Sequence, residues 1–243
     1  MKEQFLQLRK KILEDEFSFL NQAQKTAVFH WEAPLLILAG AGSGKTTVIV
    51  NKISYLMQYG RSYTSDQAPD SLTEDDLDFL KSCLTDKEKR QGARYRALTA
   101  VDPVDPYHIL AITFTNKAAA EMRDRIEKKC GFSSGDLWAL TFHATCVRLL
   151  RRFIDVLGYD RGFSIYDESD SLKLLETIIK KMNLSDQYKP KTIKNYISKG
   201  KGAYLDPDAF ARSFENYYHP KTPEIYREYQ RCLQEANALD FDD

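Results

Sequence analysis

The sequence predicts an α/β fold in which helices cover both faces of a parallel sheet. Three apolar segments, "APLLILAG" (33–40), "YHILAITFT" (107–115) and "LWALTFH" (137–143), are each followed by a stretch whose apolar residues recur at helical spacing. Strands that alternate with helices in this way are typical of parallel sheets. From about Phe163 the pattern changes to helical stretches rich in Tyr and Lys. This change predicts a second, mainly helical subdomain.

The composition is typical of a globular protein of the cytoplasm. Of the 243 residues, 43% are hydrophobic and 29% are charged, which are ordinary values for globular domains. No apolar run reaches 18 residues, so the sequence predicts neither a transmembrane helix nor a membrane partner. The four cysteines lie far apart without a C-x-x-C pair, and they indicate reduced thiols rather than a metal site.

A formal net charge of zero hides an uneven distribution of charge along the chain. Residues 62–88 contain eight acids, whereas residues 173–201 contain eight lysines and two acids. The lysine-rich segment is consistent with a surface that binds a polyanion and equally with an ordinary solvated helical face.

Capping residues and apolar spacing define the elements of the first 60 residues. The opening helix ends near Phe19, and Asn21 caps a short helix that runs through Val28. Residues 33–40 are bounded by Pro and Gly, which predicts a strand buried on both faces. A helix from Lys45 to Tyr59 follows this strand.

Residues 61–107 interrupt the alternation of strands and helices. The region begins with a polar stretch, continues with two short helical stretches (72–83 and 86–98) and ends at "VDPVDP". We interpret it as a moderately mobile surface insertion. After the second strand, a helix from Asn116 to Lys129 is closed by Gly131, and the third strand leads into a helix over 144–157.

The segment "AGAGSGKT" (39–46) has the composition of a phosphate-binding loop. Its three glycines allow backbone N–H groups to turn toward an anion, and the following helix adds the positive end of its dipole. We expect Lys45 to reach the β- and γ-phosphates of ATP and the Thr46 hydroxyl to bind Mg²⁺. The usual pattern has glycine at the position of Ala39. Alanine is tolerated there if its φ is negative and its side chain points inward.

Five motifs in a fixed order resemble those of superfamily 1 DNA helicases of the UvrD/Rep/PcrA type. They are "LNQAQKTAV", "AGAGSGKT", "ILAITFTNKAAAEMRDRI", "TFHATCVRLLRR" and "YQRCLQEANALDFDD". The resemblance extends from about Leu20 to Asp243, apart from the insertion. It implies a RecA-like P-loop motor that uses ATP and Mg²⁺ to move 3′-to-5′ along single-stranded DNA and to unwind duplex, mostly in repair and replication.

The resemblance also implies domain boundaries and a nucleotide site. It divides the chain into a motor domain (1–162), an inserted helical subdomain (163–237) and the start of a return into the motor domain (238–243). Gln24 is expected to read the adenine, and Lys45 and Thr46 to act in catalysis. The residues expected to bind the nucleotide are Gln24, Ala41, Gly42, Ser43, Gly44, Lys45, Thr46 and Thr47.

DNA contacts are implied at two strand ends and in the basic segment. Residues at the carboxyl edge of a parallel sheet lie where ligands bind in such folds, and an aromatic side chain there can stack on a base. The family places these residues beside single-stranded DNA, and its inserted subdomain beside the duplex junction. The residues concerned are Phe114, Thr115, Asn116, Thr141, Phe142, His143, Lys191, Lys194 and Lys199.

The chain departs from the family pattern at Thr47, where many relatives carry arginine, and in the length of the insertion. A D-E-x-Q-D segment, whose carboxylates hold Mg²⁺ and orient water, is not found; "YDESD" (166–170) lies in the wrong order. We therefore expect the chain to be the N-terminal part of a longer helicase, partnered by its remaining domains. On its own it is expected to bind Mg-nucleotide weakly and barely to hydrolyse it.

Three alternative functions remain at this stage. A helicase–nuclease subunit of the AddA/RecB type shares the same motifs. A small-molecule kinase or transport ATPase shares the phosphate loop but has no need for "TFTNKAA". A non-catalytic DNA-binding module would bind single strands without nucleotide.

Overall fold

Two units make up the chain, Met1–Thr145 and Cys146–Asp243. The computed structural model describes residues 1–131, 137–213 and 218–243. The domain boundary predicted between residues 162 and 163 lies further along the chain than this division and stays a prediction. Residues 214–217 of the predicted subdomain lie outside the described residues.

The first unit alternates helices with short strands, and the chain passes into the second unit within helix α7. Its elements are α1 (Lys2–Glu16), α2 (Gln22–Phe29), α3 (Lys45–Tyr59), α4 (Glu74–Thr85), α5 (Gly92–Thr99), β1 (Leu110–Thr113), α6 (Asn116–Cys130), β2 (Trp138–Thr141) and α7 (Phe142–Phe153).

Capping side chains explain where these helices begin. Asn21 and Gln24 form a reciprocal capping box at the start of α2, and Thr73 and Asp76 form another at the start of α4. Thr115 caps α6 through a bond from the Ala118 N–H. These bonds satisfy N–H groups that a helix start leaves unpaired, and they confirm the cap predicted at Asn21.

Strands β1 and β2 form a parallel pair in which Leu110 lies opposite Trp138 and Thr113 opposite Thr141. Helices α3 and α6 pack with this pair. Their shared core consists of Val50, Ile53, Ala111, Met122, Ile126, Leu137 and Ala139. This arrangement confirms that the chain combines helices with parallel strands. In the described residues the strands form small two-stranded sheets, not one large sheet.

The strand predicted over residues 33–40 was wrong for this structure. The segment has no strand assignment and lies exposed, with Leu36 and Leu38 each more than four-fifths accessible. A buried parallel strand needs ladder hydrogen bonds from a neighbour, and among the described residues none pairs with this segment. Instead, Leu35 and Ile37 line an open, mainly apolar cavity of about 560 Å³.

The insertion is closed at its base by backbone pairing. Gly60 and Val101 form a parallel bridge, in which Arg61 N–H donates to the Val101 carbonyl at 2.9 Å and Val101 N–H donates to the Tyr59 carbonyl at 3.0 Å. Gly60 has φ +61°, and a Cβ there would lie 2.1 Å from the Val101 oxygen. Only glycine therefore fits at this junction.

Helix α4 of the insertion packs on the opening helix α1. Leu77, Leu80 and Cys83 join Ile12 and Leu13 in one buried cluster. The periodic apolar residues of both helices account for this packing, because each helix buries one stripe.

The second unit consists of helices around a short parallel strand pair. Its elements, after α7, are β3 (Ser164–Tyr166), α8 (Glu168–Lys181), α9 (Pro190–Gly202), α10 (Pro207–Ser213), α11 (Thr222–Glu235) and β4 (Ala238–Asp240), with β3 paired to β4. The main core is formed by α8, α9 and α11. No helix in the described ranges has both the length and the apolar character needed to cross a bilayer.

Replacing Leu80 with alanine should lower the free energy of unfolding by about 2–5 kcal/mol, because it leaves a cavity in a fully buried site. The same substitution at Leu38, which is 87% exposed, should change it by less than about 0.5 kcal/mol. Urea unfolding of both variants measures the difference. Equal losses at the two positions would contradict the packing described for α1 and α4.

Candidate nucleotide and DNA site

The glycine-rich loop connects the exposed segment 33–40 to helix α3. Gly42 and Gly44 have φ values of +75° and +86°, which are favourable for glycine but strained for other residues. Gly44 is the N-cap of α3 and has no side chain that could cover the first N–H groups of the helix. The start of α3 therefore leaves donors free for an anion.

Lys45 lies at the first position of α3 and folds back over the loop. Its Nζ donates to the carbonyl oxygens of Ala39 at 3.0 Å and Gly40 at 2.7 Å. The Ser43 hydroxyl donates to the same Gly40 oxygen at 2.8 Å. The φ of Ala39 is not positive, as expected, but the residue is exposed, so its side chain is not packed inward.

Gln24 links helix α2 to this loop. Its Oε1 accepts from Asn21 N–H at 3.1 Å within the capping box, and its Nε2 donates to the Ser43 carbonyl at 3.2 Å. A Cβ on Gly44 would lie 2.9 Å from the same Nε2. The amide of Gln24 is therefore fixed beside the loop by two hydrogen bonds.

Thr46 and Thr47 follow on the first turn of α3. Thr46 is exposed and follows Lys45 directly. Its hydroxyl group is a possible ligand of Mg²⁺. The Thr47 carbonyl accepts from Asn51 Nδ2 at 2.8 Å. The loop thus combines an ammonium group, a hydroxyl, free N–H donors and glycine backbone, a donor set that fits the phosphates of a Mg-nucleotide.

The second group of predicted residues lies at the carboxyl ends of β1 and β2. Because Thr113 and Thr141 are paired in register, the residues that follow them, Phe114 and Phe142, leave the sheet at the same edge. Phe114 is fully exposed and Phe142 is 60% exposed. Both rings are therefore open to solvent at the same edge of the sheet, where an aromatic side chain can stack on a base.

Most of the polar residues next to these rings in the sequence have local contacts in the structure. Thr115 Oγ1 accepts from Ala118 N–H at 3.2 Å, and Thr141 Oγ1 accepts from Ala144 N–H at 3.3 Å. His143 lies edge-on to Phe142, with ring centroids 5.9 Å apart. Asn116 is the first residue of α6, so its backbone lies at the positive end of that helix.

The predicted basic residues differ in their surroundings. Lys191 and Lys199 are exposed on α9, whereas the Lys194 side chain is only 16% accessible and pairs with Asp242 at 2.9 Å. The positive charge of Lys194 is therefore already balanced within the second unit. Its predicted role in DNA binding remains untested, and the structure gives it a different partner.

The sequence also matches a family model and several known proteins. The family model described as "UvrD/REP helicase N-terminal domain" matches residues 20–67 and 92–243. The chain belongs to this family. The match leaves out residues 1–19 and 68–91, the second of which lies within the predicted insertion.

Three relatives have the same name, "ATP-dependent DNA helicase PcrA". The Bacillus subtilis (strain 168) protein is 37% identical over 227 residues, 93% of this chain and 25% of the relative. The Staphylococcus aureus (strain Mu50) and Staphylococcus epidermidis (strain ATCC 35984) proteins are each 35% identical over 225 residues, 92% of this chain and 25% of the relative. The chain thus spans about a quarter of the length of these curated relatives.

Sequence reasoning missed Lys52, which lies in the middle of α3. Its Nζ donates to the carbonyl oxygens of Val28, at 3.0 Å, and of His30. Burial lowers the pKa of Lys52 to about 8. The only signal in the sequence was a lysine between the apolar residues Val48, Ile49, Ile53 and Leu56, which is also typical of a solvated helix position.

The buried carboxylate of Asp240 was also missed by sequence reasoning in this UvrD/REP-family chain. The carboxylate accepts from Tyr229 OH at 2.8 Å and pairs with Lys201 at 3.0 Å and Lys194 at 3.9 Å. Burial alone would raise the pKa of Asp240, but the two lysines and the hydrogen bonds from Lys201 and Tyr229 lower it below the ordinary 3.8. The sequence offered only "DFDD", which gave no indication of burial.

Asp240→Asn should lower the free energy of unfolding at pH 7 by roughly 2–3 kcal/mol, because it removes a charged acceptor from a buried network. Since the folded-state pKa of Asp240 lies below its unfolded value, its contribution is present above about pH 4 and is lost as the pH falls through the folded-state pKa. The variant should therefore lose less stability than the wild type between pH 5 and pH 3 in urea unfolding.

Asp208→Asn is the matched control for Asp240→Asn, because Asp208 pairs with Arg227 at an exposed site of the same unit. An exposed pair is worth about 0–1 kcal/mol, so this variant should unfold almost like the wild type. Equal effects of the two substitutions at pH 7 would contradict the buried network.

Proposed function

We propose that this chain forms the ATP-binding part of an ATP-dependent DNA helicase that moves 3′-to-5′ along single-stranded DNA. The observation that carries the proposal is the juxtaposition of Lys45, Thr46 and the Gln24 amide around a glycine loop at the start of α3. Membership of the UvrD/REP helicase family supports it. The activity named for the relatives supports it as well, although the chain spans only a quarter of their length.

In this proposal ATP and Mg²⁺ occupy the loop and first turn of α3. Lys45 exchanges its carbonyl partners, Ala39 and Gly40, for phosphate oxygens, and the N–H groups of residues 41–47 donate to the same phosphates. Thr46 is the proposed magnesium ligand, and Gln24 the proposed adenine reader. The bound Mg-nucleotide supplies the free energy of hydrolysis, and the residues of this chain bind and orient it.

Single-stranded DNA is the proposed polymer substrate, held at the carboxyl ends of β1 and β2. Phe114 and Phe142 are the proposed stacking residues, because both rings are exposed at one sheet edge. Thr115, Asn116 and His143, with Thr141, are proposed as neighbouring polar contacts. Lys191 and Lys199 are proposed to bind phosphates at a single-strand/duplex junction, whereas the charge of Lys194 is already compensated.

We also propose that residues 33–40 become a central strand of a larger RecA-like parallel sheet in a longer protein with further helicase domains. The exposed apolar side chains of Leu36 and Leu38, and the cavity lined by Leu35 and Ile37, support this proposal. The motor domain (1–162), the inserted subdomain (163–237) and the return segment (238–243) are the proposed divisions of that protein.

Lys45→Ala should weaken the binding of Mg-ATP by about 10- to 150-fold, because it removes charge-assisted hydrogen bonds to phosphate that are each worth about 1.5–3 kcal/mol. Equilibrium dialysis with labelled Mg-ATP measures the change in this chain. Lys11→Ala, which removes the same charge from an exposed position on α1, should bind like the wild type. A Lys45→Ala chain that binds Mg-ATP normally would refute the proposed nucleotide site.

Phe114→Ala should weaken the binding of a single-stranded oligonucleotide by about 5- to 150-fold, because stacking on an aromatic ring is worth about 1–3 kcal/mol per base. Phe142→Ala should act in the same direction. Fluorescence anisotropy of a labelled oligonucleotide measures both. Phe153→Ala is the control: its ring is 61% exposed, like that of Phe142, but does not follow a strand. If all three variants lose affinity equally, the sheet edge is not the DNA site.

A further inference from the structure

Two helices of the first unit lie outside the part of the chain that matches the family. They are α1, within residues 1–19, and α4, within residues 68–91. Although 57 residues separate their ends in the sequence, they pack on each other and share one core, in which Phe5, Ile12 and Leu13 of α1 meet Leu77 and Leu80 of α4. The two segments that the family model does not match therefore form a single helical layer.

The end of this layer contacts the helices that carry the nucleotide residues. Phe17, which follows α1, lies edge-on to Phe29 at the end of α2, with ring centroids 5.5 Å apart. It also lies edge-on to Tyr55 and Tyr59 of α3 at 5.9 and 6.4 Å. All four residues are at least 95% buried. Edge-to-face packing has a preferred geometry, so it fixes the orientation of α2 and α3 as well as burying area.

The last residue of α1, Glu16, adds directional bonds to the same contact. Its carboxylate accepts from Tyr59 OH at 2.6 Å and from Tyr95 OH of α5 at 3.1 Å. Burial, with the negative charge of Glu16, raises the pKa of both tyrosines, so both remain protonated donors at neutral pH. Removing one partner of such a bond leaves a buried hydroxyl unsatisfied, which is costly.

The two helices held in this way start or end at the proposed nucleotide residues. Tyr59 ends the helix that Lys45 and Thr46 begin, and Phe29 ends the helix that carries Gln24. A rigid helix transmits a displacement at one end to the other. The bond from Gln24 to the Ser43 carbonyl, at 3.2 Å, depends on the relative position of the same two helices.

We infer that α1 and α4 form a brace that sets the position of α2 and α3, and that Glu16 is a positioning residue for Mg-ATP. This inference rests on the proposed function, because it assigns the brace a role in the same nucleotide site. Glu16 does not touch the nucleotide; it acts through Tyr59. Both helices of the brace lie outside the residues that the family model matches.

The test is the affinity of the 243-residue chain for Mg-ATP, measured by equilibrium dialysis at a temperature where every variant is fully folded by circular dichroism. Glu16→Gln replaces one of the two acceptor oxygens with an amide donor, and because the two tyrosines bond to different oxygens, one of them loses its acceptor. We expect its Kd for Mg-ATP to rise about three- to tenfold. Tyr59→Phe, which keeps the packed ring and removes only the hydroxyl, should raise Kd in the same direction.

Asp15→Asn is the matched control. Asp15 is the neighbouring carboxylate on α1, and it pairs with Arg90 at 2.7 Å and Lys87 at 3.1 Å, both in the insertion. This substitution should lower the melting temperature but leave the Kd for Mg-ATP within about twofold. A positioning role and a purely stabilising role therefore give different patterns across the three variants.

The two hypotheses fail in different ways. Normal Mg-ATP binding by Glu16→Gln and Tyr59→Phe, while Lys45→Ala weakens binding as expected, would overturn the positioning role alone. A rise in Kd for Asp15→Asn equal to that for Glu16→Gln would also overturn it, because affinity would then follow stability. A wild-type chain that binds no Mg-ATP would overturn the proposed function and the positioning role together.

Discussion

The packing of Phe17 against the rings of α2 and α3 is the contact on which the proposed nucleotide site depends. A phosphate loop made largely of glycine has little conformational preference of its own, because glycine loses more backbone entropy on ordering than any other residue. The loop geometry must therefore come from the elements at its two sides. On the α3 side, that element is anchored by Tyr55 and Tyr59, both fully or nearly fully buried against Phe17. The other side, residues 33–40, is exposed coil in this structure.

A different constraint, electrostatic rather than steric, organises the second unit. Asp240 ends β4 with its carboxylate fully buried, and Lys194, Lys201 and Tyr229 surround it. Asp240 also accepts from the N–H groups of Asp242 and Asp243, at 2.9 and 3.0 Å, within the turn that follows. A buried charge with this many partners is tolerated where an unpaired one is not. The network joins α9 and α11 to strand β4.

Much of the local structure could be predicted from the sequence because its causes are local. The cap at Asn21, the helix from Lys45 to Tyr59 and the closure of α6 at Gly131 each depend on residues within one turn. The phosphate loop belongs to the same class, because consecutive glycines, a lysine and a threonine determine its chemistry. The family resemblance then added the strand-end aromatic residues, and the structure brings both rings to one sheet edge.

The remaining features depend on contacts between residues far apart in the sequence, which periodicity does not report. The segment 33–40 has the composition of a buried strand, yet it lacks a partner among the described residues and stays exposed. Lys194 lies in a lysine-rich stretch, but Asp242 of the chain's last turn neutralises it. The pairing of α1 with α4 joins helices whose sequences give no hint of each other, beyond one apolar stripe on each. In all three cases the deciding contact is with a residue or segment that is distant in the sequence.

The most direct test of the proposed nucleotide site is hydrogen–deuterium exchange of the backbone amides with and without Mg-ATP. We expect slower exchange on binding in two places: residues 41–47, where loop and helix-start N–H groups donate to phosphate, and residues 22–25, the first turn of α2, which contains Gln24. We expect little change along α9, whose lysines are proposed for DNA. Protection confined to other segments, or the absence of protection at saturating Mg-ATP, would contradict the assignment of the loop and of Gln24 to the nucleotide.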